Sequence, residues 1–396
     1  MNPASTISTE RLAPTTSGES AWKVLLAASC ADLQEGVVRT RFLLDRKVDW
    51  EKVLCLADHH GTCSLMYQNL SRLSDAVPLS TLSKLRERYE SNIRKSLFLT
   101  RELIRLGDRL GELGIEVVPY KGLVLSEIYY GDMALRQSGD IDLFVRRPDV
   151  VRIKEAVREL GYTTRVPISK NAEKDYLDSG YECTFDSPAG RNVLELQWAL
   201  QPRFYAVDFD MEELFARAVN VTVAGRLMKI PSPEDLLLVL SVHAAKHVWE
   251  RLIWLCDIAQ ILKREKLNWN LVQSRARDLG IERILHITLL LMERFLQSAI
   301  PAPIENAVRS DHAAHAFTEE IAAAVIHGAS YEDRQIPYFR LMMRLRERRL
   351  DQARFLTRLT FTPGPGEWEA IRLPKVLFPL YRVVRLARLA ARFARK

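Results

Sequence analysis

Asp140 and Asp142 flank Ile141 at the opening of a strand predicted over 141–145. With a side-chain period of two, both carboxylates point to the same face of that strand. Two adjacent like charges are costly unless a cation sits between them. An oxygen-rich pair of this kind suits Mg²⁺, which takes carboxylates together with substrate phosphates rather than a full protein cage. Two such ions can activate an attacking oxygen and stabilise a leaving pyrophosphate. A third acid, Glu195, stands between Leu194 and Leu196 on a second predicted strand. Alone it reads as a solvent-facing acid on an alternating strand, and beside an Asp140/Asp142 metal pair it reads as the third member of the site.

Upstream, Lys121-Gly122 joins a short strand to a predicted helix. A glycine there lets backbone N–H groups approach phosphate oxygens, and a helix N-terminus favours an anion. Arg136 lies four residues before Asp140, with Ser138 between them, in a loop of small and polar residues. Arg136 is a candidate for bidentate phosphate contact and Ser138 for a further nucleotide contact. The stretch HAAKHVWERLIWLCDIAQIL, 243–262, offers Lys246 and His247 toward a cleft opposite the sheet. The competing reading is a packed helix pair with Trp249 and Trp254 in the core. His243 and His247 are four apart but lack the glutamate of an HExxH zinc motif.

These elements need a scaffold. The apolar spacing is helical from Ser20 to about Leu113, with Gly114 as a C-terminal stop. Short β-like runs follow at 115–120 and 141–145, with a helix over 149–160. Alternating runs at 181–185 and 193–198, joined by Ser187-Pro188-Ala189-Gly190, predict a hairpin, and 219–230 predicts another strand pair turning at Ala224-Gly225. After Pro233 the pattern is helical again, over 236–249, 252–264, 269–279 and 284–296, to about Thr360. Thr362-Pro363-Gly364-Pro365-Gly366 breaks it. The expected fold is α+β: a leader at 1–19, a helical N-terminal region at 20–113, a small mixed-sheet core at 114–231, a helical domain at 232–362, and a Pro/Gly linker with a basic amphipathic helix at 363–396.

Together, the Lys-Gly turn, Arg136, the Asp-Ile-Asp strand and the strand Val193-Leu194-Glu195-Leu196-Gln197-Trp198 resemble the nucleotidyltransferase superfamily with the DNA polymerase β-like fold. More closely, the chain is similar to an uncharacterised bacterial nucleotidyltransferase family. Leu56-Ala57-Asp58-His59-His60-Gly61 and the 243–262 helical stretch carry the resemblance further, over most of 50–380. It implies an enzyme that moves a nucleoside monophosphate from an NTP, ATP first among them, to a small-molecule or protein acceptor with release of pyrophosphate. Two Mg²⁺ ions, replaceable by Mn²⁺, would sit on Asp140, Asp142 and Glu195. Lys121, Gly122, Arg136, Ser138, Lys246 and His247 would bind the nucleotide. The chain departs from the wider superfamily in having Lys-Gly for Gly-Ser and in a separation of 18 positions from Gly122 to Asp140, which leaves the acids intact and the substrate class open. The alternatives are a catalytically weak nucleotide-binding accessory protein and an RNA-directed nucleotidyltransferase.

Composition bounds these readings. Of 396 residues 47% are hydrophobic and 27% charged, enough apolar material for a sizeable core. No uncharged apolar run nears the ~18 residues of a membrane span, and the polar N-terminus carries no signal-like apolar stretch. Five dispersed cysteines without a CxxC pair fit a reducing cytosol rather than a disulfide framework. The expected location is therefore cytoplasmic. Neither GxxxxGK[ST] nor GxGxxG occurs, which leaves P-loop and Rossmann readings without support. Residues 371–396 hold eight Lys or Arg and no acid, and without them the chain's +7 falls to −1. The body thus gives no strong nucleic-acid signal. Arg382, Arg385, Arg388, Arg392 and Arg395 share a helical face, which suits peripheral contact with an anionic inner-membrane surface or, alternatively, packing on the body.

Overall fold

The computed structural model describes residues 16–44, 47–165, 176–178, 180–188, 190–328, 336–362, 371 and 380–394. The proline–glycine breaker at 363–366, Ala189 of the expected hairpin turn, Arg395 and most of the expected leader lie outside them. The fold is α+β, a small mixed sheet flanked by helices.

Among the described residues five α-helices precede the sheet: α1 Thr16–Ala28, α2 Leu33–Arg41, α3 Trp50–His60, α4 Cys63–Leu70 and α5 Leu79–Glu112. Helix α1 starts inside the segment expected as leader, because Ala21, Trp22, Val24 and Leu25 bury a continuous stripe. Asp49 caps α3 by accepting from the Lys52 amide, and Gly61 ends it in a left-handed conformation. Helix α5 presents Leu99, Leu103, Leu106 and Leu110 at helical spacing, all buried.

The sheet has the order β1-β2-β5-β4-β3. Its strands are β1 Val117–Pro119, β2 Asp140–Val145, β3 Thr163–Thr164, β4 Glu182–Asp186 and β5 Val193–Gln197. β4 and β5 form the expected antiparallel hairpin, while β2 and β5 pair in parallel. The edge strand β3 has no counterpart in the sequence reading, since two threonines carry too little pattern. A separate ribbon, β6 Val219–Val223 with β7 Arg226–Ile230, turns at Ala224-Gly225.

Ile141, Leu143 and Val145 of β2, Cys183 and Phe185 of β4, and Leu194 and Leu196 of β5 bury one face of the sheet. They pack with α5 and with α7, Val150–Glu159, α6 being the turn Leu123–Leu125. Helices from both ends of the chain share the other large core. Trp22 meets Phe295 edge-to-face at 5.7 Å, and the Leu252 amide donates to His60 Nδ1. Thus the helical segments before and after the sheet bury each other.

The tail helix, Tyr381–Ala394, rests on the helix Arg349–Phe361. Tyr381 is buried and donates to the Ile371 carbonyl, and Arg385 donates to the Leu359 carbonyl. Val383 and Leu386 remain exposed. Among the described residues no helix is long and apolar enough to cross a membrane.

Candidate active site

The polar face of the sheet follows from strand alternation. On β2 the residues between the buried aliphatics are Asp140, Asp142 and Phe144, and on β5 they are Glu195 and Gln197. In the parallel pairing, Asp142 lies directly across from Glu195. Burial, and then the Asp142 charge beside it, push the Asp140 carboxyl above the usual range, while Lys121 pulls it back. Asp142 is likewise pushed up by burial, relieved by Lys121 and opposed by Glu195. Both shifts have the same origin: anions crowded out of water.

The cation that meets them is Lys121, whose Nζ stands 2.8 Å from Asp142 Oδ1. Burial works against its charge, but the facing acids, Asp142 foremost, hold the ammonium above the ordinary lysine range. Gly122 has φ +59°, and a Cβ there would meet Ser138 Oγ at 2.7 Å. Glycine is thus demanded by the close approach of the loop before β2. Ser138 in turn donates to the Asp140 carbonyl at 3.2 Å, which fixes the start of the acid-bearing strand. The helix expected after Gly122 is a single turn, α6 Leu123–Leu125, running into a π-helical turn at Ser126–Tyr130. The two turns together run without a break from Leu123 to Tyr130.

Arg136 departs from its expected phosphate contact. Its Nε and Nη2 donate to both Asp257 carboxylate oxygens at 2.9–3.0 Å, and Nη1 donates to the Gln137 carbonyl. Tyr130 completes this buried cluster by donating to Asp257 Oδ1 at 2.9 Å. The guanidinium therefore ties the loop of the acids to the helix that carries Asp257.

That helix, α10 Leu252–Arg264, and the preceding one, α9 Pro233–Lys246, are separated by a tight turn; Met211–Arg217 is α8. Helix α9 was expected to run to Trp249. It stops at Lys246 because Val248 and Trp249 both take positive φ, a conformation β-branched and bulky residues rarely adopt. The turn sinks Trp249, whose indole donates to Thr288 Oγ1 at 3.0 Å. His243, His247 and Trp254 lie mutually against one another, ring centroids 5.0–5.3 Å apart. Burial, then Lys246, bring His247 down to about 3, and His243 is also held well below the ordinary value by burial. Both are neutral rings, and no zinc-type role is needed to explain them. Lys246 donates to Tyr181 Oη at 3.0 Å.

Tyr181 itself donates to Glu182, and the Gln197 amide donates to both Glu182 Oε2 and Glu195 Oε2 at 3.3 and 3.2 Å. Tyr120 donates to Gln197 Oε1 at 2.7 Å. Sequence reading missed Glu182, Tyr181 and Tyr120. The alternation of Glu-Cys-Thr-Phe-Asp was the available signal for Glu182, which pairs across from Gln197 in the hairpin.

An uncharacterised nucleotidyltransferase family model matches residues 46–297. The chain belongs to that family. No curated protein and no solved structure matches it. The span shared with the nucleotidyltransferase family includes the sheet, all three acids, Lys121, Gly122, Arg136, Ser138, Lys246 and His247. It stops at the end of α12 Glu282–Leu296, α11 being Trp269–Leu279.

The donor set of this nucleotidyltransferase fits a hard divalent cation. Asp140, Asp142 and Glu195 offer only oxygen, and Asp142 Oδ1 is buried without a hydrogen-bond donor in line, its charge met by Lys121. Among the described residues no three His, Cys, Asp or Glu side chains form a ready cage. A Mg²⁺ ion on these acids would need substrate phosphates and water to complete its shell.

Proposed function

We propose that the protein transfers a nucleoside monophosphate from an NTP to an acceptor hydroxyl or phosphate, in a Mg²⁺-dependent reaction that releases pyrophosphate. The observation that carries this reading is the in-register pair Asp142 and Glu195 on adjacent parallel strands, with Asp140 two residues earlier on the same face. Asp140 and Asp142 would hold metal, with Glu195 completing the set. The ion, when bound there, would supply charge stabilisation at the reacting phosphate and would lower the pKa of the attacking group.

The residues of this chain do the rest. An acceptor oxygen forms a bond to the α-phosphorus, the bond from that phosphorus to the β-bridging oxygen breaks, and the electron pair leaves on pyrophosphate. The acceptor proton goes to a carboxylate, the role proposed for Glu195. Gln197 holds Glu195 through its amide and is held by Tyr120. Arg136, occupied by Asp257, acts as a positioning residue for the loop rather than as a phosphate ligand. Lys246, bonded to Tyr181, and His247, packed on Trp254, would contribute to nucleotide binding from the helical side. ATP is the first substrate to test.

The test is thermal denaturation of the full chain with ATP, GTP, CTP and UTP, each with Mg²⁺ and with EDTA. A nucleotide that raises Tm only with the metal supports the reading, since a ligand that binds the folded state stabilises it. No shift with any NTP, or equal shifts in EDTA, contradicts it.

A further inference from the structure

We propose that the Lys121 ammonium is an intramolecular counter-cation for the three-acid site, and that a divalent ion loads by displacing it. This rests on the reading of Asp140, Asp142 and Glu195 as metal ligands. The side chains of Lys121 and Asp142 are only 9% and 2% exposed, with 2.8 Å between Nζ and Oδ1. The charges acting on Lys121 include those of all three acids. The neighbouring cations make their hydrogen bonds to other groups: Arg136 is clasped by Asp257, and Lys246 donates to Tyr181. Lys121 therefore does the work in the folded protein that a metal would do, balancing buried carboxylates that repel one another.

A divalent ion on the same oxygens cannot share the space with an ammonium at hydrogen-bond range. One of the two must leave, and the lysine has the flexible four-carbon stem that permits it. Nζ also lies 4.9 Å from the centroid of the Tyr120 ring, a weak tie beside the ion pair. Two consequences follow. Bare metal binding is weakened by competition with Lys121. Loading also frees one positive charge at the site, available to an anionic substrate.

The experiment uses the full chain without nucleotide. Mn²⁺ affinity is measured by calorimetry for wild type and for Lys121→Met, which keeps length and removes charge. In parallel, wild type is acylated with a lysine-selective reagent with and without Mn²⁺, and modification of Lys121 is followed by peptide mass spectrometry. The expected result is Mn²⁺ binding at least about tenfold tighter in Lys121→Met, roughly the effect of losing one competing ion pair, with faster Lys121 acylation once Mn²⁺ is bound. Equal affinities, or a Lys121 that stays protected at saturating Mn²⁺, would overturn displacement while leaving the metal reading intact. Absence of Mn²⁺ binding in both proteins would remove the metal reading and the proposal together. If Lys121→Met does not fold, acylation of wild type decides alone.

Discussion

Arg136 and Asp257, 121 positions apart, form a buried ion pair in which two guanidinium nitrogens reach both carboxylate oxygens. The pair fastens the loop leading into the acid strand to the helical segment packed over it. Removing one partner leaves the other charged, buried and unpaired. Asp257→Asn should therefore cost about 3–5 kcal/mol, read as a fall in the urea midpoint at unchanged slope. Tyr130→Phe, which removes one donor to Asp257, should cost only about 1 kcal/mol. Equal stabilities for wild type and Asp257→Asn would mean that the pair does not fasten the loop.

Gly122 tests how tightly the Lys121 turn is set against Ser138. Alanine there faces both a positive φ and a Ser138 oxygen 2.7 Å from its Cβ. A loss of about 1–3 kcal/mol is expected. Adding Ser138→Ala should return part of it, because the clash is relieved and the backbone strain is not. Strictly additive losses in the two single variants and the double variant would show that Gly122 and Ser138 do not press on each other.

How much of this was legible in the sequence divides along physical lines. The β2 acids, the β4–β5 hairpin and the ribbon turning at Ala224-Gly225 were readable because alternation and turn residues are local signals. Glu195 opposite Asp142 was not: parallel register between strands fifty residues apart is set by the shared core face of Ile141, Leu143, Leu194 and Leu196. Arg136 was assigned to phosphate because Asp257, its true partner, is far along the chain. The end of α9 at Lys246 was missed because Val248 and Trp249 adopt positive φ only under tertiary constraint. Lys121 was expected to face phosphate, and its contact with Asp142 depends on how β1 sits beside β2.

Acid should destabilise the fold well above the usual carboxylate range. His60 is brought down to about 3 by burial, then by His59, and His247 also lies at about 3. Both sit below the ordinary value of 6.5, so on acidification the unfolded chain takes up protons that the folded protein refuses. This stability is complete above about pH 6.5 and is lost as pH falls toward 3. Asp140 and Asp142, raised by burial, act in the opposite sense and offset part of it. Urea midpoints at pH 7.5, 6.0 and 5.0 should fall in that order. A midpoint that is flat or rising toward pH 5 would show that the buried histidines are not the governing groups.

The tail should be dispensable for chemistry. Its helix reaches the body where Arg385 donates to the Leu359 carbonyl, outside the 46–297 span that holds the acids. Deletion of 371–396 should leave metal-dependent nucleotide binding intact. It should also abolish low-salt cosedimentation with anionic phosphatidylserine vesicles, since those residues carry the chain's whole positive balance. A folded truncation that cannot bind nucleotide would place the tail in the active site. Vesicle binding that survives deletion would place the contact elsewhere.

The most direct test is turnover. Transfer of the α-³²P label from NTP, with pyrophosphate release, should be followed for wild type and Asp142→Asn over a Mg²⁺ series. Asparagine keeps the shape of the side chain and removes the charge, so the variant should fold while losing at least about 10²-fold in rate, as expected when metal positioning supplies several kcal/mol. Equal, Mg²⁺-dependent rates in the two proteins would contradict the assignment of the Asp140, Asp142 and Glu195 face as the catalytic site.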